Sequence, residues 1–133
     1  MKVLVDASVW SQALRNKRQN AATKELVDLI NASMVVMIGP VRQELLSGVA
    51  DEKTFESLKA TLASFEDVPI TTADYETAAK FYNTCCPHCV QGTYADFLLC
   101  AIAANRKLLI FSTDAKFEHL AKHLPVRLYQ AGR

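Results

Sequence analysis

Four carboxylates stand where a chain half of whose residues are apolar does not lightly leave an acid. Asp6 ends the short apolar run Val3-Leu4-Val5, and Asp114 follows Leu-Leu-Ile-Phe at 108–111, with Ser112 and Thr113 between. Glu44 lies among Val41, Leu45 and Gly48, and Asp96 shares a helical face with Leu99, Cys100 and Ala103. A carboxylate buried without a partner is costly enough that it either neutralises or finds one. Each acid therefore caps a helix or holds something. Asp6 and Asp114 can cap the helices that follow them, Glu44 can be a solvated position, and Asp96, three places after Thr93, has capping-box spacing. Against the capping reading, Asp6 and Asp114 fall beyond the carboxyl ends of strands, where open parallel sheets gather their ligands.

The elements that must position these acids are read from apolar periodicity and from turn residues. VLVDA is a first strand running into a helix from about Ser8, and a second helix spans Asn20 to Asn31. MVVMI at 34–38 is a second strand, and Gly39-Pro40 opens a short helix that ends near Gly48. Asp51 caps a helix reaching about Phe65, and DVPI at 67–70 is a weak third strand. Thr71 and Asp74 form a capping box for a helix that stops before Pro87, because the residue preceding proline avoids helical angles. PHCVQG is a loop, TYADFLLCAIAANR a helix buried almost all round, LLIF a strand, KFEHLAKHL a helix and VRLY a closing strand. Strands alternating with helices imply an α/β fold with a parallel sheet covered on both faces.

A length of 133 residues suits one domain with a sizeable core, and a net charge of +1 neither announces nor excludes a polyanionic partner. The start lacks the apolar length of a secretory segment, and the longest apolar runs, 34–41 and 97–104, are too short to span a bilayer. A cytoplasmic protein without membrane association, its four cysteines free thiols, is the expectation.

Strand-Asp-x-Ser at Asp6 and Ser8, Glu44 in PVRQELLSG, Asp96 in TYADFLLCAIA and Asp114 in STD, in that order, resemble the PIN domain. Within that family they resemble the compact VapC-type ribonuclease toxins, over essentially the whole chain, 1–133. The resemblance implies a three-layer sandwich with a central parallel sheet of strand order 3-2-1-4-5 flanked by helices. It makes Asp6, Glu44, Asp96 and Asp114 a catalytic, metal-binding quartet for Mg²⁺ or Mn²⁺, with Ser8 and Thr113 in support. Converging carboxylates repel one another, and divalent ions, which take hard oxygen ligands, relieve that repulsion. The implied reaction is hydrolysis of RNA to 5′-phosphate and 3′-hydroxyl ends. The implied partners are a VapB-like antitoxin and a second copy in a homodimer. Ser8 would orient Asp6 or a water, and Thr113 would hydrogen-bond neighbouring acids. Arg15, Lys17 and Arg18 form one candidate patch for the RNA backbone, with Arg42 and Lys116 nearer the pocket.

Other readings fit less of the chain. Cys86-Pro-His-Cys89 has the spacing of a redox pair, but it follows a helix, where a thioredoxin-like motif opens one after a strand. His119 and His123 could join it on zinc, yet the gap from Cys89 far exceeds finger spacing. An aspartyl phosphatase calls for an acid at Ser8, and a receiver domain for an acidic pair after the first strand. Trp10, Phe81 and Tyr82 suit a core or a subunit contact better than base stacking. The non-enzyme alternative is a PIN-like domain that binds RNA or protein without cleaving.

Overall fold

A computed structural model of the chain describes residues 1–130. Its centre is a sheet of four short parallel strands, β1 (Val3–Val5), β2 (Val35–Val36), β3 (Leu109–Phe111) and β4 (Arg127–Leu128), in the order β2-β1-β3-β4. The helices are α1 (Ala7–Leu14), α2 (Ala21–Asn31), α3 (Gly39–Leu46), α4 (Glu52–Leu62), α5 (Thr72–Cys85), α6 (Tyr94–Arg106) and α7 (Lys116–Ala121). A single 3-10 turn, Cys86–His88, follows α5. Val3, Leu4 and Val5 are buried because β1 is an interior strand covered by helices on both faces, which is why its sequence does not alternate.

The expected third strand shrinks to one parallel bridge, Met37 with Asp67, extended by the Val68 N–H on the Met37 carbonyl at 2.9 Å. The partner segment turns into α3 at Gly39, which ends the ladder there. With that bridge outside β2, the order of the five segments is the expected 3-2-1-4-5. The helix expected to reach Phe65 ends at Leu62, and the two later strands are shorter than their apolar runs.

Side-chain caps set most helix starts. Asn20 and Thr23 cap α2, Asp51 caps α4, Thr71 and Asp74 cap α5, and Thr93 and Asp96 cap α6. Asp74 also receives both guanidinium nitrogens of Arg106, each at 2.9 Å, and the Asn105 amide at 2.9 Å. Arg106 reaches the Pro69 carbonyl at 2.8 Å as well, so one buried carboxylate fastens α5, α6 and the segment before α5. Trp10 and Phe81 are buried, with Trp10 edge-on to Phe65 at 5.0 Å between ring centres. Among the described residues, no helix is long and apolar enough to cross a membrane.

Candidate active site

Parallel register places the first acid. Val5 pairs with Phe111, so the next residues, Asp6 and Ser112, leave the sheet side by side, and the Asp6 N–H still bonds the Phe111 carbonyl at 2.8 Å. The Ser112 hydroxyl donates to Asp6 Oδ2 at 2.9 Å and accepts the Asp114 N–H at 3.0 Å. With its one proton given to Asp6, Ser112 must accept from Ser8, whose Oγ is 3.2 Å away. Ser8 Oγ in turn accepts the Thr113 N–H at 3.0 Å, and the Ser8 N–H reaches Asp6 Oδ2 at 3.4 Å. A chain of hydroxyls thus ties the end of β1 to the segment carrying Asp114.

Ser112 is the supporting residue that sequence reading passed over, and its signal was available as the position opposite Asp6 across the parallel pair. Thr113 does not fill the role expected of it, since its hydroxyl accepts from Gln12 Nε2 at 2.8 Å and bonds none of the acids.

The other two acids come from the helices over the same end of the sheet. Leu4 pairs with Val36, which brings the turn into α3 beside Asp6. Pro40, Val41 and Glu44 of α3 line a narrow cleft with Asp6, Ile38, Asp96 and Leu99. Asp96 is held by its capping box, with Oδ2 accepting the Thr93 N–H at 2.8 Å and its own N–H on Thr93 Oγ1 at 3.1 Å. Asp6 and Asp96 are buried, whereas Glu44 and Asp114 are exposed at the rim. The apolar setting anticipated for Glu44 is thus found only on the side it turns to the cleft. Its carboxyl titrates above the usual 4.5, first because that side is sheltered and then because Asp6 repels its charge, an effect Lys116 opposes.

Lys116 opens α7 and enters the group of acids. Its Nζ lies 3.0 Å from Asp96 Oδ1 and 3.5 Å from Asp114 Oδ2, while its N–H holds Asp114 Oδ1 at 3.0 Å. Arg42, also expected near the pocket, turns away to Asp67 at 2.9 Å and to the carbonyls of Leu62 and Phe65. Arg15 and Lys17 line an open groove of about 850 Å³ with Lys53, and Arg18 is exposed. Cys86 and Cys89 are exposed free thiols on the turn after α5, and the His88 ring stacks on His123 at 4.5 Å.

The donor set suits a hard divalent cation. Three acids each commit one oxygen to a hydrogen bond from the fold, Asp6 and Asp96 through Oδ2 and Asp114 through Oδ1. Each keeps its second oxygen for a cation, and Glu44 makes no hydrogen bond or ion pair among the described residues. Among those residues no three acid, imidazole or thiol groups are drawn around a single point, and the cation between Asp96 and Asp114 is the lysine ammonium.

The chain is similar to known proteins along nearly its whole length. It is 27% identical over 125 residues to a VapC ribonuclease of Mycobacterium bovis, Mb1587, covering 90% of this chain and 92% of that one. Ribonuclease VapC11 of Mycobacterium tuberculosis matches to the same extent. Among solved structures, VapBC2 from Rickettsia felis, bound to a promoter DNA fragment, superposes with a TM-score of 0.78 at 16% identity, over 97% of this chain and 98% of that chain. FitAcB from Neisseria gonorrhoeae superposes with a TM-score of 0.77 at 20% identity, over 96% of each chain. The PIN domain model matches residues 3–123, which contain all four acids, and the chain belongs to the PIN domain family.

Proposed function

We propose that this chain is a metal-dependent endoribonuclease that hydrolyses RNA phosphodiester bonds, the toxin of a VapBC-type toxin–antitoxin pair. The observation that carries the reading is the placing of Asp6, Glu44 and Asp96 along one cleft at the carboxyl end of the parallel sheet, with Asp114 joined to Asp96 through the Lys116 ammonium. The ribonuclease names of the two mycobacterial relatives support the activity, and the VapBC complexes among the structural neighbours support a VapB-like partner.

Asp6, Asp96, Glu44 and Asp114 are the residues that would hold Mg²⁺ or Mn²⁺. When bound, the ion supplies Lewis-acid stabilisation of the charge that develops as water displaces an RNA oxygen in line. The protein contributes positioning: Ser112 and Ser8 fix Asp6, and Thr93 fixes Asp96, so two of the carboxylates are held by one oxygen each while the other is left for a cation. Arg15, Lys17 and Arg18 carry the surface charge for the RNA backbone, since Arg42 is committed to Asp67. The protein acts in the cytosol as a homodimer and a single PIN-like domain.

Expression of the chain alone arrests growth, and co-expression of an antitoxin encoded beside it restores growth. RNA from arrested cells carries new cleavage sites with 5′-phosphate ends. Normal growth with abundant folded protein and intact RNA contradicts the proposal.

A further inference from the structure

Lys116 is set against the electrostatics of its own helix. It is the first residue of α7, where the exposed N–H groups favour acids over bases. Its Nζ nevertheless turns onto the two carboxylate oxygens, Asp96 Oδ1 and Asp114 Oδ2, that the fold leaves uncommitted, at 3.0 and 3.5 Å. The other oxygen of Asp96 is held by Thr93, and the other oxygen of Asp114 by the Lys116 backbone. A cation ligated by these two acids needs the same oxygens that the ammonium covers. Lys116 also keeps an exit, because its side chain is 34% exposed against 8% for Asp96.

We infer that Lys116 is a built-in competitor for the metal site: its ammonium neutralises Asp96 and Asp114 in the metal-free protein and must leave them before a divalent ion binds, so it lowers metal affinity. The inference rests on the metal-dependent reading above. It gives Lys116 a positioning role distinct from contact with RNA. A monovalent cation on a flexible stem is displaced by a divalent ion more readily than a fixed arginine fork would be, so the site is occupied by a cation in both states and avoids naked repulsion between its acids.

Mn²⁺ titration of the full chain by calorimetry, without RNA, tests the inference on the parent, Lys116→Met and Lys116→Arg. Lys116→Met keeps the apolar stem and removes the charge. It should bind Mn²⁺ about tenfold more tightly, equivalent to 1.4 kcal/mol at 25 °C. It should also melt lower than the parent in chelator and gain more on adding Mn²⁺. Lys116→Arg, which keeps the charge, should stay near or below parental affinity. A parent that binds Mn²⁺ and a Lys116→Met variant that binds it equally or more weakly overturn the competitor role while leaving the metal site standing. Binding by Lys116→Met alone supports the inference most strongly, and binding by neither protein overturns both readings. If Lys116→Met does not fold, Lys116→Gln provides the same charge comparison.

Discussion

At Asp96, a helix cap and an ion pair share one side chain. Oδ2 closes the capping box with Thr93, and Oδ1 pairs with the Lys116 ammonium, so the acid starts α6 and still has an oxygen for the proposed cation site. Glu44 is the contrasting case, an acid with no capping duty whose charge the folded protein disfavours. With the folded pKa above the usual 4.5, folding takes up a proton in that window, and the metal-free protein loses stability as pH rises through the raised value. Glu44→Gln removes that loss. In chelator at pH 7.5 it should melt about 1–3 °C above the parent, a small gain because Glu44 is solvent-exposed, and the difference should vanish near pH 4. With Mn²⁺ the order should reverse, since the variant has one ligand fewer. Paired melting curves at the two pH values check the sign, and a variant less stable than the parent at pH 7.5 in chelator contradicts it.

At the scale of elements, what the sequence made legible follows local rules. The caps at Asp51, Thr71 and Thr93 announce their helices because a capping hydrogen bond spans only three residues. Asp67 pairing was less legible, because a single bridge depends on Arg42 holding the 62–67 segment and on α3 beginning at Gly39. Lys116 was legible as a cation near the pocket but not as a partner of Asp96, twenty residues away in sequence, since that contact exists only after α6 and β3 pack. Ser112 differs, since its place one residue beyond β3 matches that of Asp6 one residue beyond β1 and is readable once those strands are paired. Asp74 shows that capping acids can matter without chemistry: Arg106 foremost holds its carboxyl well below the usual carboxylate range, against the opposing effect of burial. Its stabilising charge is present above the usual 3.8 and lost only as pH falls through the depressed value. Asp74→Asn should cost about 3–5 kcal/mol, because it leaves Arg106 half-buried without its partner. Chemical denaturation measures this, and a loss below about 1 kcal/mol would show that the pair is not the fastening described.

For the whole molecule, family membership and acid geometry point the same way from independent grounds. Family membership alone does not say that these four acids act together, and the acids alone do not say what they act on. Joining the two is the claim that one cation site at the carboxyl end of the sheet cleaves RNA. Asp96→Asn separates this from a purely structural role, because the amide oxygen can still accept the Thr93 N–H while the charge is gone. The decisive measurement is cleavage of saturating RNA by purified parent and Asp96→Asn at matched Mn²⁺, with a chelator control and melting curves of both proteins. The account predicts cleavage by the parent that the chelator abolishes, and loss of at least about 100-fold in the variant, or 2.7 kcal/mol of barrier. The folded variant should melt in chelator within about 5 °C of the parent. Cleavage by Asp96→Asn at near-parental rate, or parental cleavage that survives the chelator, would contradict it.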